Sequence, residues 1–154
     1  MSKLSCVKGK TFERKLATVF REHWPEAVVR RASQADRAHQ ADVYVTGGPP
    51  LLSRLWIEAN DARKPQPLVK LEQAERDVTG RSITHPIAAR DNRLPVVIWH
   101  KLREQTIHVT MRLWTLDALR SNLHVVSEVV TTITLDDFLG VLRDAVSREI
   151  AKAA

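Results

Sequence analysis

The stretch from Ala41 to Asn60 limits the fold more than any other part of the chain. Ala41-Asp42-Val43-Tyr44-Val45 runs into Gly47-Gly48-Pro49-Pro50, and the chain returns as Leu55-Trp56-Ile57-Glu58-Ala59-Asn60. Both flanks are apolar and rich in β-branched or aromatic residues, with Gly and Pro as punctuation between them. That is the pattern of two paired strands. Asp42 opens the first strand and Glu58 lies near the end of the second. Pairing the strands brings both carboxylates to one end of the hairpin. Adjacent carboxylates repel, so such a pair points to a divalent metal or a basic partner.

The 154 residues suit one domain. Hydrophobic residues at 44% are enough for an ordinary core, and charged residues at 27% do not suggest disorder. The lone Cys6 excludes an internal disulfide and cannot build a zinc site by itself, which fits a reducing compartment. No stretch has the length of a membrane span and the polar N-terminus lacks a signal-peptide core, so a cytoplasmic protein with no membrane partner is expected. The net charge of +6 is uneven. Residues 1–40 carry nine Lys/Arg against four Asp/Glu, and residues 81–103 carry five against one. Two basic segments therefore flank the acidic pair. A site that holds a polyanionic backbone has this arrangement, and so does a plain solvated basic surface.

In chain order, residues 10–22 read as a helix with the stripe Phe12, Leu16, Val19 and Phe20, and with Glu13 on its border. Pro25 ends that region. Ala27 to Arg31 is a short strand, and the polar stretch 32–40, with Ser33 and His39, is a loop. His39 there is more often solvated than a ligand. After the hairpin, Pro67 suits a first helical turn, and Leu68, Leu71, Ala74 and Val78 give an apolar face, with Gly80 as the stop. Residues 81–94 form a basic loop. Pro95 to Trp99 is a buried central strand and Thr106 to Met111 its neighbour. Thr115 is expected to cap a short helix and residues 124–132 to form another strand. Thr134 with Asp137 should start a final helix striped by Leu135, Phe138, Leu139, Leu142, Val146 and Ile150.

The pieces Lys8-Gly9-Lys10-Thr11-Phe12-Glu13-Arg14, Arg30-Arg31-Ala32-Ser33, Ala41-Asp42-Val43 and Trp56-Ile57-Glu58-Ala59-Asn60 occur in an order and spacing that resembles the PD-(D/E)xK nuclease superfamily. Within it, the likeness is to archaeal-type Holliday-junction resolvases and their small phage-encoded relatives. It covers roughly residues 8–100. It implies an α/β fold, a central mixed sheet flanked by helices as in restriction endonucleases. The chain would be a single nuclease-like domain with its core at about 8–112 and a C-terminal strand–helix extension at 113–154. It also implies a Mg²⁺-dependent endonuclease, with Mn²⁺ as an alternative ion, acting on branched DNA as a homodimer.

The resemblance assigns Asp42 and Glu58 to the metal, with the backbone carbonyl of Ala59, and Glu13 to the active site, reaching the ion through water. Ser33, Gln73 and Asn60 occupy further catalytic positions. Lys8, Lys10, Arg14, Arg30, Arg31, Arg63, Lys64 and Arg90 are the expected DNA-binding residues. One position departs from the pattern. The family has Lys two residues after the Glu, and this chain has Asn60. Such a Lys stabilises charge that builds on phosphorus; an amide offers a dipole only. Either Asn60 suffices, or a displaced Lys64 or Lys70 substitutes, or the site is weak or inactive. The alternative reading is therefore a nuclease-fold protein that binds DNA and cuts poorly. A third is a structural module whose acidic pair is an ordinary surface feature. Extra apolar surface in Val96–Trp99 and in the final helix is expected to contribute to a dimer interface.

Overall fold

Phe12, Leu16, Ala17 and Phe20 recur at helical spacing and are buried along one side of α1 (Lys3–His23), which begins earlier than the apolar stripe alone indicates. It docks on a six-stranded mixed open sheet flanked by helices, in a computed structural model that describes residues 3–32, 41–79, 93–121 and 129–153. After α1 come β1 (Val28–Arg31), β2 (Val43–Thr46), α2 (Pro50–Ser53), β3 (Leu55–Ala62) and α3 (Pro67–Thr79). The remaining elements are β4 (Leu94–Lys101), β5 (Ile107–Arg112), α4 (Leu113–Ser121), β6 (Val130–Thr134) and α5 (Leu135–Ala153). Ser33, His39, Gly80, Arg81 and Arg90, with residues 124–128 of the strand expected at 124–132, lie outside the described residues.

The strands stand in sequence order, β1-β2-β3-β4-β5-β6. Every neighbouring pair is antiparallel except β3 with β4. A parallel pair needs a long crossover, and α3 lies within it. The hairpin expected at 41–60 forms, with Val43 opposite Ile57, but its connection holds the short α2 as well as a turn. Gly47 and Gly48 take φ of 73° and 67° there. A Cβ on Gly48 would come within 3.0 Å of the Cβ of Ala27, so this crossing needs glycine. Glu149 of α5 accepts a hydrogen bond from the Leu51 N–H at 2.9 Å, tying the connection to the last helix.

Alternation along β3 divides its side chains between two layers. Leu55 and Ile57 enter the main core with α1, α4 and α5, whereas Trp56 packs with Ala41 and with Ala74 and Val78 of α3. A bidentate pair fixes α3 further: Arg112 of β5 donates from Nε to Glu75 Oε1 at 2.7 Å and from Nη2 to Oε2 at 3.1 Å.

The C-terminal elements belong to the same core. Leu135, Phe138, Leu139, Leu142 and Val146 are buried with the α1 residues, and Val96, Val97 and Ile98 are fully enclosed. Most of the apolar surplus expected for a dimer interface is thus packed inside the chain, apart from the half-buried Trp99 and the exposed Ile150. Thr134 and Asp137 form the expected cap: the Asp137 N–H donates to Thr134 Oγ1 at 3.1 Å. Thr115 does not cap α4. That helix starts at Leu113, directly after β5, and Thr115 is buried inside it with no partner for its hydroxyl among the described residues.

Candidate metal and phosphodiester site

Asp42 precedes β2 and Glu58 lies on β3, opposite one another by continuation of the Val43–Ile57 register. The Ala59 N–H, which would otherwise continue the ladder, donates to Asp42 Oδ2 at 3.0 Å. In an extended strand the N–H and C=O of one residue leave by the same edge. The Ala59 carbonyl therefore faces the Asp42 side of β3, as a backbone ligand at this position must.

Glu58 comes directly after Ile57, which faces α1, and so projects beneath α3. Only 4% of it is exposed. Trp56 Nε1, two residues back on the same face, donates to Glu58 Oε1 at 3.1 Å. Lys70 Nζ, from α3, donates to Oε2 at 3.4 Å. Burial, and then the charge of Asp42, push the Glu58 carboxyl from about 4.5 up to about 7; Lys70 and the Trp56 hydrogen bond oppose the rise. Arg93 covers the Trp56 ring, its guanidinium 5.1 Å from the ring centroid.

Asn60 lies two residues beyond Glu58, so it shares the α3 face, half-buried beside Trp99 in the strand register. Of the two lysines singled out in the sequence, Lys64 is exposed beyond the end of β3 and Lys70 reaches Glu58. Helical spacing carries the signal for Lys70. It is one turn before Ala74, which is fully buried against the sheet. Trp56 had an equivalent signal in its two-residue offset from Glu58.

Glu13 is buried, as a site residue should be, but it is paired with a cation. Arg31 Nη1 donates to Glu13 Oε2 at 3.2 Å. Arg31 has the same parity on β1 as buried Val29, and so faces α1; its register partner is Val43. Glu13 thus approaches the Asp42 end of the sheet from the layer opposite Glu58. Among the described residues no group of three His, Cys, Asp or Glu side chains is placed to hold a metal. Gln73 is exposed on α3, apart from the packed face.

The basic residues divide as well. Arg30 is exposed and points away from Arg31, toward the α3 side, next to Tyr44. Arg14, Arg63 and Lys64 are exposed and Lys10 is half-buried, while the Lys8 side chain lies outside the described ones. One polar pair has no signal in the sequence. Asp61 Oδ1 meets His100 Nδ1 at 3.1 Å, and the His100 ring stacks on Phe12 at 6.1 Å, joining α1 to the sheet beside Asn60.

No family model matches the chain, and no curated protein or solved structure matches it. No helix among the described residues is long and apolar enough to cross a membrane. Fold and site together define a class only: an α/β protein with a mixed open sheet and, where β2 meets β3, a half-buried Asp42 beside a buried Glu58.

The raised Glu58 carboxyl makes stability depend on pH. The folded protein keeps that proton up to about pH 7, whereas the unfolded chain gives it up near pH 4.5. The resulting stabilisation is complete below pH 4.5 and is lost as pH rises to about 7. Its size is about 3 kcal/mol, from the free energy of one pKa unit. Urea unfolding of metal-free protein across this range should show the decline in wild type and a flatter profile in Glu58→Gln. Equal slopes in both would show that Glu58 titrates normally.

Proposed function

We propose that this protein is a divalent-metal-dependent endonuclease of restriction-endonuclease-like fold that hydrolyses phosphodiesters in DNA, with branched DNA as its substrate. The observation that carries the reading is the pairing of Asp42 with a buried Glu58 beside the Ala59 edge of β3. The element order supports it: α1, three antiparallel strands, the α3 crossover and a fourth strand parallel to the third.

The donor set fits Mg²⁺ or Mn²⁺. Both are hard cations that take carboxylate and carbonyl oxygens, and a cation between Asp42 and Glu58 would relieve the repulsion that adds to burial in raising the Glu58 carboxyl. Asp42, Glu58 and the Ala59 carbonyl would hold it. When bound, the ion supplies Lewis acidity toward a phosphoryl oxygen. The chain's own residues do the rest. The Ala59 N–H orients Asp42, and Trp56 fixes one oxygen of Glu58 while α3 excludes water from it. Glu13 is held by Arg31 on the opposite layer and supports the Asp42 end of the sheet.

A four-way junction offers two symmetry-related cleavage points, and a two-fold homodimer would present one Asp42–Glu58 pair to each. With most of β4 and of the α5 stripe enclosed, its interface would draw mainly on other surfaces. A second reading, a DNA-binding protein that cuts weakly, draws on Asn60, which puts an uncharged amide on the Glu58 face.

Labelled four-way junction and matched duplex, incubated with Mg²⁺ or Mn²⁺, test the proposal. Junction nicking should be lost by a factor of at least ~10² in Asp42→Asn and in Glu58→Gln, the scale of losing a group that stabilises transition-state charge. Tight junction binding without metal-dependent nicking would favour the weak-cutting reading, and neither binding nor nicking would remove both.

Salt dependence separates the two neighbouring arginines. Arg30→Ala should reduce the magnitude of the log K against log salt slope by about one, as for any single phosphate contact. Arg31→Ala should change it less, because Glu13 already offsets that charge. The slopes can be read from junction binding in Ca²⁺. Equal slopes for wild type and Arg30→Ala would take Arg30 out of the DNA-binding face.

A further inference from the structure

We propose that Lys70 is the cation of this site, delivering from α3 the ammonium that a lysine at position 60 of β3 would supply. The inference rests on the nuclease reading above and assigns a phosphate-contacting residue within it. Three observations converge. Lys70 Nζ lies 3.4 Å from Glu58 Oε2, and its side chain remains 33% exposed, so it stands at the mouth of the site while Glu58 forms the floor. Asn60 shares the Glu58 face, and α3 packs across that same face. The helix that carries Lys70 is fixed in place, by Leu71 and Ala74 against the sheet and by the two Arg112–Glu75 hydrogen bonds.

The Lys70–Glu58 contact is at the long end of hydrogen-bond distances, so the ammonium is not locked onto the carboxylate. The other Glu58 oxygen is already engaged by Trp56. An incoming phosphodiester beside Glu58 would offer Lys70 an anionic group with free lone pairs. Lysine on a four-carbon stem can make that exchange without moving its helix. The plain structural alternative is that Lys70 only neutralises Glu58. Removing the charge has different consequences under the two roles.

The test uses full-length Lys70→Met, the double variant Lys70→Met/Asn60→Lys and wild type, with junction cleavage, Mn²⁺ affinity in the absence of DNA, and thermal melting measured on each. Lys70→Met should melt as a folded protein and bind Mn²⁺ at least as tightly as wild type, because Glu58 has lost a competing cation. Its cleavage should fall by at least ~10², the scale for one group that stabilises transition-state charge. Asn60→Lys in the same chain should recover at least about tenfold of that loss, since it returns a cation to the same face. Cleavage by Lys70→Met within about threefold of wild type would overturn the proposal and leave the nuclease reading standing. So would joint loss of Mn²⁺ binding and cleavage without recovery in the double variant, which is the mark of a structural role. Wild type that neither binds Mn²⁺ nor cuts would overturn the nuclease reading, and this assignment with it.

Discussion

A carboxylate buried next to another carboxylate is the constraint on which the rest of this structure turns. Glu58 has given up most of its hydration beneath α3 and sits within the field of Asp42, and both effects penalise its charged form. The surroundings answer with three groups: the Trp56 indole, the Lys70 ammonium and, for Asp42, the Ala59 amide. Each comes from a different requirement of the fold. Trp56 is there because of strand alternation, Lys70 because of the α3 crossover, and Ala59 because the β2–β3 ladder gives way to a side-chain contact at Asp42. A fold selected only for stability would place an apolar residue at position 58, since exchanging a buried ion pair for well-packed apolar side chains is often neutral or stabilising.

The parts of the site that were legible in the sequence are those set by periodicity and punctuation. The Gly47–Pro50 turn and the alternation on either side mark a hairpin with Asp42 and Glu58 at one end, whereas the register that sets them opposite comes from the structure, because α2 lengthens the connection. The Thr134–Asp137 cap was legible because side-chain capping is local. Features that depend on a choice between distant partners could not be read. The sequence offers many cations near Glu13, and only the tertiary structure selects Arg31. Lys64 and Lys70 both follow Asn60 closely in sequence, and the pitch of α3 selects Lys70 for contact with Glu58. Thr115 misled because Thr is a good cap and an acceptable buried residue alike. With α4 starting directly after β5, burial prevailed. Most of the apolar surplus that suggested an interface disappears because Val96, Val97 and Ile98 of β4 are enclosed in the sheet's own packing, with α3 and α4 against that strand.

Separating the acidic residues between two layers also bears on how the site would work. Glu58 and Lys70 share the α3 layer, whereas Glu13 and Arg31 lie in the α1 layer, with Asp42 at the seam. The two ion pairs therefore brace the same end of the sheet from opposite sides. Arg30 is exposed on the α3 side, whereas Arg31 turns to Glu13 in the α1 layer. Adjacent residues on one strand thus take unlike roles, from alternation alone.

The claim underlying all of this is that Asp42 and Glu58 together hold a divalent cation. Titrating Mn²⁺ into the DNA-free protein, with free ion monitored by electron paramagnetic resonance, addresses it without reference to turnover. One binding site per chain is expected, weakened by at least about tenfold in Asp42→Asn and likewise in Glu58→Gln, with affinity rising across about pH 5 to 7.5 as Glu58 loses its proton. Saturable binding that is unchanged in both variants, or no binding at millimolar Mn²⁺, would contradict it.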